Sequence, residues 1–340
     1  MKSTTPRPRT PKSSWSFKEV QFTDWDTRAL GFNAPEHPSD AAKRIVREIG
    51  RLGERHLVLF QDNYPGFIGS ENVEANFTSN PDFMIGREQS RQGVYAGPLS
   101  VTAELPTIST FVAVKPFDPR DGKRTGLRAP PAHAVVHDLA TNLHLNRISS
   151  GTAYTPYGIL TGDDEFIVPS LITEFNERAT SLNNTFLDKP SDTEAHKKRV
   201  LRAIELGSFG LGVVHGARMI HGDAYPHNFA VDGKTIIVND TTTVRPFYRS
   251  RATNKQLIKE DVRDFFDGVF DKENSSDMSR SIALSALRGE EVQNRMHDIY
   301  LDGVRLGAER ADFSQGGLSV DDRTYTETIN NAIEKSVTTE

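Results

Sequence analysis

The stretch MIHGDAYPHNFAVDGKTIIVND, Met219–Asp240, concentrates side chains that can handle a phosphoryl group. Asp223 precedes Asn228 by five positions, and Asp240 follows Asn228 by twelve. Phosphoryl transfer from a nucleotide needs a carboxylate that orients the attacking hydroxyl, oxygen ligands for magnesium and a cation on the phosphates. Asp223 can supply the carboxylate, and the side-chain oxygens of Asn228 and Asp240 can share one hard cation.

The local elements that would position these groups can be read from the same stretch. The apolar run TIIV, Thr235–Val238, predicts a strand. The loop ahead of this strand would then bring Asn228 and Asp240 to the same edge. Gly222 lets the backbone turn tightly beside Asp223.

The same letters also fit a different class of enzyme. His221, Asp223 and His227 follow the H-x-D…H pattern of the metal triads in iron oxygenases and metallohydrolases. That alternative requires a double-stranded β-barrel around the triad, whereas a long helix is predicted before it. A third alternative is a catalytically silent scaffold that binds nucleotide or nothing.

The rest of the chain predicts strands first and helices later. Strands are predicted at 94–105, 108–117, 155–162 and 165–175, with a helix at 133–148 between the second and the third. A long helix is predicted at 193–217. Upstream, LVLF at 57–60 predicts a buried strand, and residues 40–52 predict an amphipathic helix. This order predicts an α+β fold, with a small sheet lobe followed by a helical lobe.

Composition narrows the possible classes of protein. The chain has 340 residues, 36% of them hydrophobic and 26% charged, and no apolar run is long enough to span a bilayer, so we predict no transmembrane segment. A net charge of −5 predicts no nucleic-acid partner. Cysteine is absent, which excludes disulfides and thiolate sites and is compatible with a cytoplasmic protein. Residues 1–12 are basic and rich in Pro and Thr, which is typical of a disordered tail.

The pattern H-G-D-x-x-x-x-N followed by a second Asp resembles the catalytic loop and metal-binding strand of the protein-kinase-like superfamily. The HGD variant is similar to the aminoglycoside, choline and lipopolysaccharide kinase branches. The resemblance implies that Asp223 is the catalytic carboxylate and that Asn228 and Asp240 are the magnesium ligands. It also implies that His221 packs in the loop and hydrogen-bonds the backbone.

The resemblance continues in chain order over about residues 90–270. FVAVK, ending at Lys115, is similar to the strand whose lysine holds the α- and β-phosphates of ATP. LITEF is similar to the strand that leads into the adenine-binding hinge, which implies a gatekeeper-like Thr173 and backbone contacts from Glu174 and Asn176. LIKEDVRDFF is similar to a later helix, whose Asp261 would brace the catalytic loop.

Several features of the superfamily pattern are missing. No G-x-G-x-x-G precedes Lys115, and the nearest glycines are Gly93 and Gly97. The helix predicted at 133–148 contains no glutamate to pair with this lysine, so Asp138 and Glu104 are the substitute carboxylates. Asp-Thr-Thr stands in place of Asp-Phe-Gly, no Ala-Pro-Glu follows, and Tyr225 replaces the lysine of protein kinases. The missing features that bind protein substrates favour a small or unusual acceptor.

The combined prediction is a two-lobed, protein-kinase-like α+β fold. It has a disordered tail at 1–12, an N-terminal extension at 13–86, an antiparallel-sheet N-lobe at 87–175 and a helical C-lobe at 176–335. The predicted activity is ATP- and Mg-dependent transfer of the γ-phosphoryl group to an unidentified hydroxyl acceptor. Catalysis is assigned to Asp223, Asn228 and Lys115, and His221, Asp261 and Asp138 are assigned supporting roles.

Overall fold

The computed structural model describes residues 14–17, 20–23, 57–60, 63–65, 73–80, 94–102, 107–116, 131–148, 151–160, 170–188, 190–233, 235–241, 243–248, 250–310 and 319–338. One compact unit takes its described residues from Met1–Thr27, Ile45–Val136 and Pro156–Phe175. The other takes them from His137–Thr155 and Asn176–Glu340. The tail at 1–12, the helix predicted at 40–52 and Glu104 lie outside the described residues.

The first unit is built on one sheet of eight strands. In chain order they are β1 (Ser14–Phe17), β2 (Val20–Thr23), β3 (Leu57–Phe60), β4 (Glu74–Thr78), β5 (Tyr95–Thr102), β6 (Thr107–Pro116), β7 (Pro156–Leu160) and β8 (Ser170–Glu174). The spatial order is β1-β4-β5-β6-β8-β7-β3-β2, and all pairs are antiparallel except β2 with β3. Within the described residues, strands are found in each of the predicted ranges 57–60, 94–105, 108–117, 155–162 and 165–175. The four strands β1–β4 from within the predicted extension belong to the same sheet.

The two outermost strands of this sheet are neighbours in the chain. β1 ends at Phe17 and β2 begins at Val20, so their ends lie within about 11 Å of each other. The backbone N–H of Val20 also donates to the carbonyl of Val73, immediately before β4, at 2.9 Å. The sheet therefore curls until its two edges meet, which is the direction that strand twist favours.

The curled sheet encloses an apolar core on one face. Its buried members come from strands across the whole sheet, because residues paired across strands point to the same side. They are Val20, Leu57, Leu59, Tyr64, Val73, Ala75, Phe77, Tyr95, Leu99, Val101, Val112, Val114, Leu160 and Ile172. The opposite face of β6 and β8 is thus left to other side chains, Lys115 among them.

The second unit is mainly helical. Its helices are α1 (Pro131–Ile148, from His137 onward), α2 (Leu182–Leu187), α3 (Thr193–Gly216), α4 (Arg251–Phe270), α5 (Asp277–Leu287), α6 (Glu290–Arg310) and α7 (Asp322–Thr338). The predicted helices at 133–148 and 193–217 are confirmed as α1 and α3. Short strands accompany them: β9 (Thr180–Ser181), β10 (Met219–Ile220), β11 (Phe229–Asp232), β12 (Thr235–Val238) and β13 (Arg245–Pro246).

Helices α3 and α6 touch through their backbones. A Cβ atom on Gly212 would lie 2.1 Å from the carbonyl oxygen of Tyr300, and one on Gly303 would lie 2.2 Å from that of Phe209. Neither distance is sterically allowed, so this contact requires glycine on both helices. This contact fixes the position of α3. The C-terminus of α3 leads into the loop that contains His221, Gly222 and Asp223, called here the HGD loop.

The observed architecture confirms the predicted α+β class. A mostly antiparallel sheet unit and a helical unit are consistent with a two-lobed, kinase-like fold. Within the described ranges, none of the helices combines the length and apolar character that crossing a bilayer requires.

Candidate functional site

Lys115 and Thr173 lie on one face of two neighbouring strands. β6 and β8 pair so that Ala113 is opposite Thr173 and Lys115 is opposite Leu171. Partners across an antiparallel pair share a face, so all four side chains project from the side opposite Val112 and Val114 of the apolar core. Thr173 is buried and Lys115 is half-buried.

The chain leaves β8 through residues whose side chains are held locally. The Thr173 hydroxyl donates to the Glu174 carbonyl at 3.1 Å, and the Phe175 ring packs 5.0 Å from that of Phe111. Asn176, the first residue of the second unit at this point, donates from Nδ2 to Asp232 Oδ2 at 2.9 Å and accepts from the Arg178 N–H. These contacts give the segment after β8 a defined path.

Close packing against the end of β4 explains one of the two glycines that precede the lysine strand. Gly97 lies within β5, where a Cβ atom would come 1.9 Å from the Thr78 carbonyl oxygen. The Asn80 N–H donates to the Ala96 carbonyl at 2.7 Å, so the β4–β5 hairpin is tight at its base. Gly93 lies outside the described residues.

In the second unit, the HGD loop follows α3 and is anchored by Asp261. The two carboxylate oxygens of this buried residue of α4 accept the backbone N–H groups of His221, at 2.7 Å, and Gly222, at 2.8 Å. Gly222 has a φ of +76°, a left-handed conformation that glycine adopts without strain. Asp261 thus holds the backbone on the N-terminal side of Asp223.

Asp261 is itself held by a histidine that the sequence did not single out. His215 Nε2 lies 3.0 Å from Asp261 Oδ2, and His215 Nδ1 lies 2.9 Å from the hydroxyl of Tyr300 on α6. With its proton on Nε2, the imidazole donates to the carboxylate through Nε2 and accepts from the tyrosine through Nδ1. Burial raises the pKa of Tyr300 well above its usual value, so its hydroxyl keeps its proton. In the sequence, the one indication of this role is that His215 lies eight residues before Asp223.

Asp223 and Asn228 are in direct contact. Nδ2 of the buried Asn228 donates to the backbone carbonyl of Asp223 at 2.7 Å and to its Oδ2 at 3.0 Å. Both amide protons are used by these bonds, which leaves the amide oxygen of Asn228 as an acceptor. The other carboxylate oxygen of the half-buried Asp223 has no hydrogen-bond partner among the described residues.

The strand pair β11–β12 brings Asp240 beside this contact. Phe229 pairs with Val238, and the Asn239 N–H donates to the Asn228 carbonyl at 2.8 Å. Asp240 follows directly, with an exposed side chain and a φ of +44°, which is uncommon outside glycine. A carboxylate and an amide oxygen at one strand end are the kind of ligands that a hard cation prefers, so the donor set fits magnesium.

His221 fills the interior below the loop. Its fully buried ring packs 5.3 Å from that of Phe229. Neither ring nitrogen has a hydrogen-bond partner among the described residues, so the predicted bond to the backbone is not seen there, while the predicted packing is observed. Burial lowers the pKa of His221, and the nearby carboxylates of Asp261, Asp223 and Asp240 offset part of that effect.

The metal triad of the alternative interpretation does not form. His221 is buried, whereas His227 is exposed and stacks on the Tyr225 ring at 5.7 Å. Among the described residues, which include all three triad members, no three His, Asp or Glu side chains are grouped so that they could hold a metal. The described residues therefore give no support to the oxygenase or metallohydrolase alternative.

Asp138 lies on α1 in a polar cluster. It accepts from the hydroxyl of Thr241, and Asn142 Nδ2 lies 2.7 Å from the same hydroxyl oxygen. All three residues are buried. The sequence missed Thr241 and Asn142, although Asp138 and Asn142 are spaced by four residues and therefore share one helix face. The predicted pairing of Asp138 with Lys115 joins residues of different units and stays a prediction.

Comparison with known proteins adds little to this geometry. No protein-family model matches the chain, and no curated protein matches it. Among solved structures, WaaP in complex with acyl carrier protein aligns with 72% of this chain and 88% of its own chain. The identity is 14% and the TM-score is 0.37, a likeness too weak to bear on activity or partners.

Proposed function

We propose that this protein is an ATP- and magnesium-dependent phosphotransferase that moves the γ-phosphoryl group to a hydroxyl acceptor. The observation that carries the proposal is the convergence of Asp223, Asn228 and Asp240 on a loop anchored by Asp261. Asp223 is hydrogen-bonded to Asn228, and Asp240 directly follows Asn239, whose N–H is bonded to the Asn228 carbonyl. These residues would supply the oxygen groups that in-line transfer from a metal-bound nucleotide requires. The resemblance of the sequence to the HGD-type branches of the kinase-like superfamily supports the same activity.

Each side chain has a role that follows from its surroundings. The unpartnered oxygen of Asp223 would orient the acceptor hydroxyl and take its proton. Asn228 and Asp240 would hold magnesium, which supplies charge neutralisation on the phosphates when bound. Asn228 would also keep Asp223 in place, because its amide group already binds this carboxylate.

The nucleotide would use the face of β6 and β8 opposite the apolar core. Lys115 would hold the α- and β-phosphates through its ammonium group. The side chains of Ala113 and Thr173, which pair across these strands, are small, and the flat adenine ring would lie on them. The backbone of Glu174 and Asn176 would then meet the adenine edge.

A catalytically silent pseudokinase is the second proposed function. The observation in its favour is the lysine partner: α1 contains no glutamate, and Asp138, the substitute, is engaged by Thr241. Such a protein would bind nucleotide without consuming it.

ATP binding and ATP turnover measured on the same preparation test the proposal. We expect ATP to raise the melting temperature with magnesium and much less with EDTA, and phosphate transfer to an acceptor or to the protein itself to be detected by mass spectrometry. Binding without any turnover, including toward sugar, aminoglycoside, lipid-linked and protein hydroxyls, would favour the pseudokinase. No response to ATP under either condition would contradict both proposed functions.

A further inference from the structure

The segment that follows Asp240 is fastened to helix α1 through buried polar side chains. Asp138, Asn142 and Thr241 are 1%, 5% and 2% exposed. Burying polar groups at this density is costly unless each is hydrogen-bonded, so a network of this kind marks a place where geometry matters.

The bonds of this network converge on one hydroxyl group. Thr241 Oγ1 donates to Asp138 Oδ1, and Asn142 Nδ2 lies 2.7 Å from Thr241 Oγ1. Asn142 Nδ2 also lies 2.8 Å from the Asp138 carbonyl and 3.2 Å from its Oδ1, which ties the two helix residues together. Three residues further on, the Val244 carbonyl is bonded to His137 Nε2 of the same helix.

Asp240 therefore lies between two fixed points. On its N-terminal side, Asn239 is bonded to the Asn228 backbone. On its C-terminal side, Thr241 is bonded to α1. Asp240 itself has a left-handed backbone conformation, which is strained for a non-glycine residue and persists only where its surroundings enforce it.

We infer that Thr241 is a positioning residue, whose hydroxyl holds the carboxylate of Asp240 in the orientation that binds magnesium, with Asp138 and Asn142 of α1 as its support. This inference rests on the proposed function, because it takes Asp240 as a metal ligand. Groups that orient a metal ligand commonly change metal affinity by about 10–100-fold when they are removed.

Thr243 supplies a matched control within the same segment. Its hydroxyl is buried and has no hydrogen-bond partner in the part of the chain that the structure describes. Replacement of threonine by valine keeps the shape of the side chain and removes only the hydroxyl. Thr241→Val thus removes the hydroxyl that binds Asp138. Thr243→Val removes a hydroxyl that binds none of the described residues.

The experiment measures the magnesium concentration at half-maximal ATP-dependent stabilisation, by thermal shift, for the wild type, Thr241→Val, Thr243→Val and Thr241→Ser. We expect Thr241→Val to raise this concentration by about tenfold or more, and we expect ATP binding in EDTA to stay unchanged. Thr243→Val should match the wild type, and Thr241→Ser, which restores a hydroxyl, should recover most of the affinity. Asn142→Ala leaves Asp240 and Thr241 unchanged and should shift the concentration in the same direction. This variant tests the inference if Thr241→Val does not fold.

Two results would overturn the inference, and they are distinguishable. If the wild type responds to magnesium and ATP but Thr241→Val and Asn142→Ala respond as Thr243→Val does, Thr241 does not position Asp240. The proposed function then stands. If the wild type shows no magnesium-dependent response to ATP, the proposed function fails and the inference fails with it.

Discussion

Among the described residues, Asp223 accepts a hydrogen bond through only one of its two carboxylate oxygens. The other oxygen is the group on which the proposed chemistry depends, because it would meet an incoming hydroxyl. The surroundings of Asp223 are set by Asn228, which binds it, and by Asp261, which anchors the backbone before it. Single substitutions can therefore separate chemistry from binding.

Asp223→Asn should abolish turnover and spare nucleotide binding. The variant keeps the shape of the side chain but removes the proton acceptor, so we expect turnover to fall by roughly 10²–10⁴-fold. The ATP-dependent rise in melting temperature should remain. Asp298→Asn, an exposed position on α6, is the matched control and should retain full turnover. Equal turnover in the two variants would remove Asp223 as the proton acceptor.

His221 should make the protein less stable in mild acid. Its folded pKa lies below the value of 6.5 for a free imidazole, so the unfolded chain binds more protons as the pH falls through 6.5. The contribution is complete above that value, and below it the free energy of unfolding should fall as the pH decreases.

The comparison of His221→Phe with His227→Phe isolates this contribution to the free energy of unfolding. His221→Phe should flatten the pH dependence measured by urea unfolding between roughly pH 7.5 and pH 5.5. His227 is exposed in the fold, so His227→Phe should keep the slope of the wild type. An unchanged slope in His221→Phe would contradict the buried, neutral state of this ring.

Among the elements, α3 and α6 depend on a contact that only glycine permits. Backbone meets backbone at Gly212 and Gly303, so no side-chain rearrangement can make room for a methyl group there. The same helices supply His215 and Tyr300, which hold Asp261. A shift of α6 would therefore move Tyr300 and, through His215 and Asp261, the HGD loop.

Gly212→Ala should destabilise the fold by at least about 2 kcal/mol, because the added methyl group forces the helices apart. Gly289→Ala is the control, since its Cβ atom would meet its nearest neighbour at an ordinary 3.5 Å. Urea unfolding measures both. Equal stabilities of the two variants would show that the helices can separate at little cost.

The packing of β2 in the sheet core leads to a second prediction at the scale of strands and helices. Val20 is buried in the sheet core, so Val20→Asp places an unpaired carboxylate there and should lower the melting temperature strongly or prevent folding. Asn76→Asp adds a charge on the exposed face of β4 and should be tolerated, because its carboxylate can still accept from Ser16. If Val20→Asp melts as Asn76→Asp does, β2 contributes little to the core.

Element types were predictable from sequence where the hydrophobic period was clear. The strands of β5–β8 and helices α1 and α3 were predicted to within a few residues, because their apolar positions recur at fixed intervals. The meeting of the sheet edges was not predictable, because it depends on long-range pairing of β1 with β4 and β2 with β3. The polar clusters were missed for the same reason: Thr241 and Tyr300 gain meaning only from partners 103 and 85 residues away.

At the scale of the whole molecule, the proposed function requires Lys115 and Asp240, one in each unit, to act on the same nucleotide. Lys115→Met and Asp240→Asn should each weaken binding of magnesium–ATP. Because the two residues would share one ligand, the double variant should lose less free energy of binding than the sum of the single losses. Isothermal titration of the four proteins measures this. Strict additivity would indicate that the two residues do not act on a common ligand.

Several backbone and side-chain groups of the HGD loop are hydrogen-bonded within the protein. Asp261 accepts two of its N–H groups, the Asn228 N–H donates to the Tyr225 carbonyl, and the Asn228 side chain binds Asp223. These bonds order the loop without a ligand, so binding of the proposed nucleotide should cost little entropy for ordering it. Encounter between this loop and its ligand should therefore be limited by diffusion and orientation, and not by a folding step.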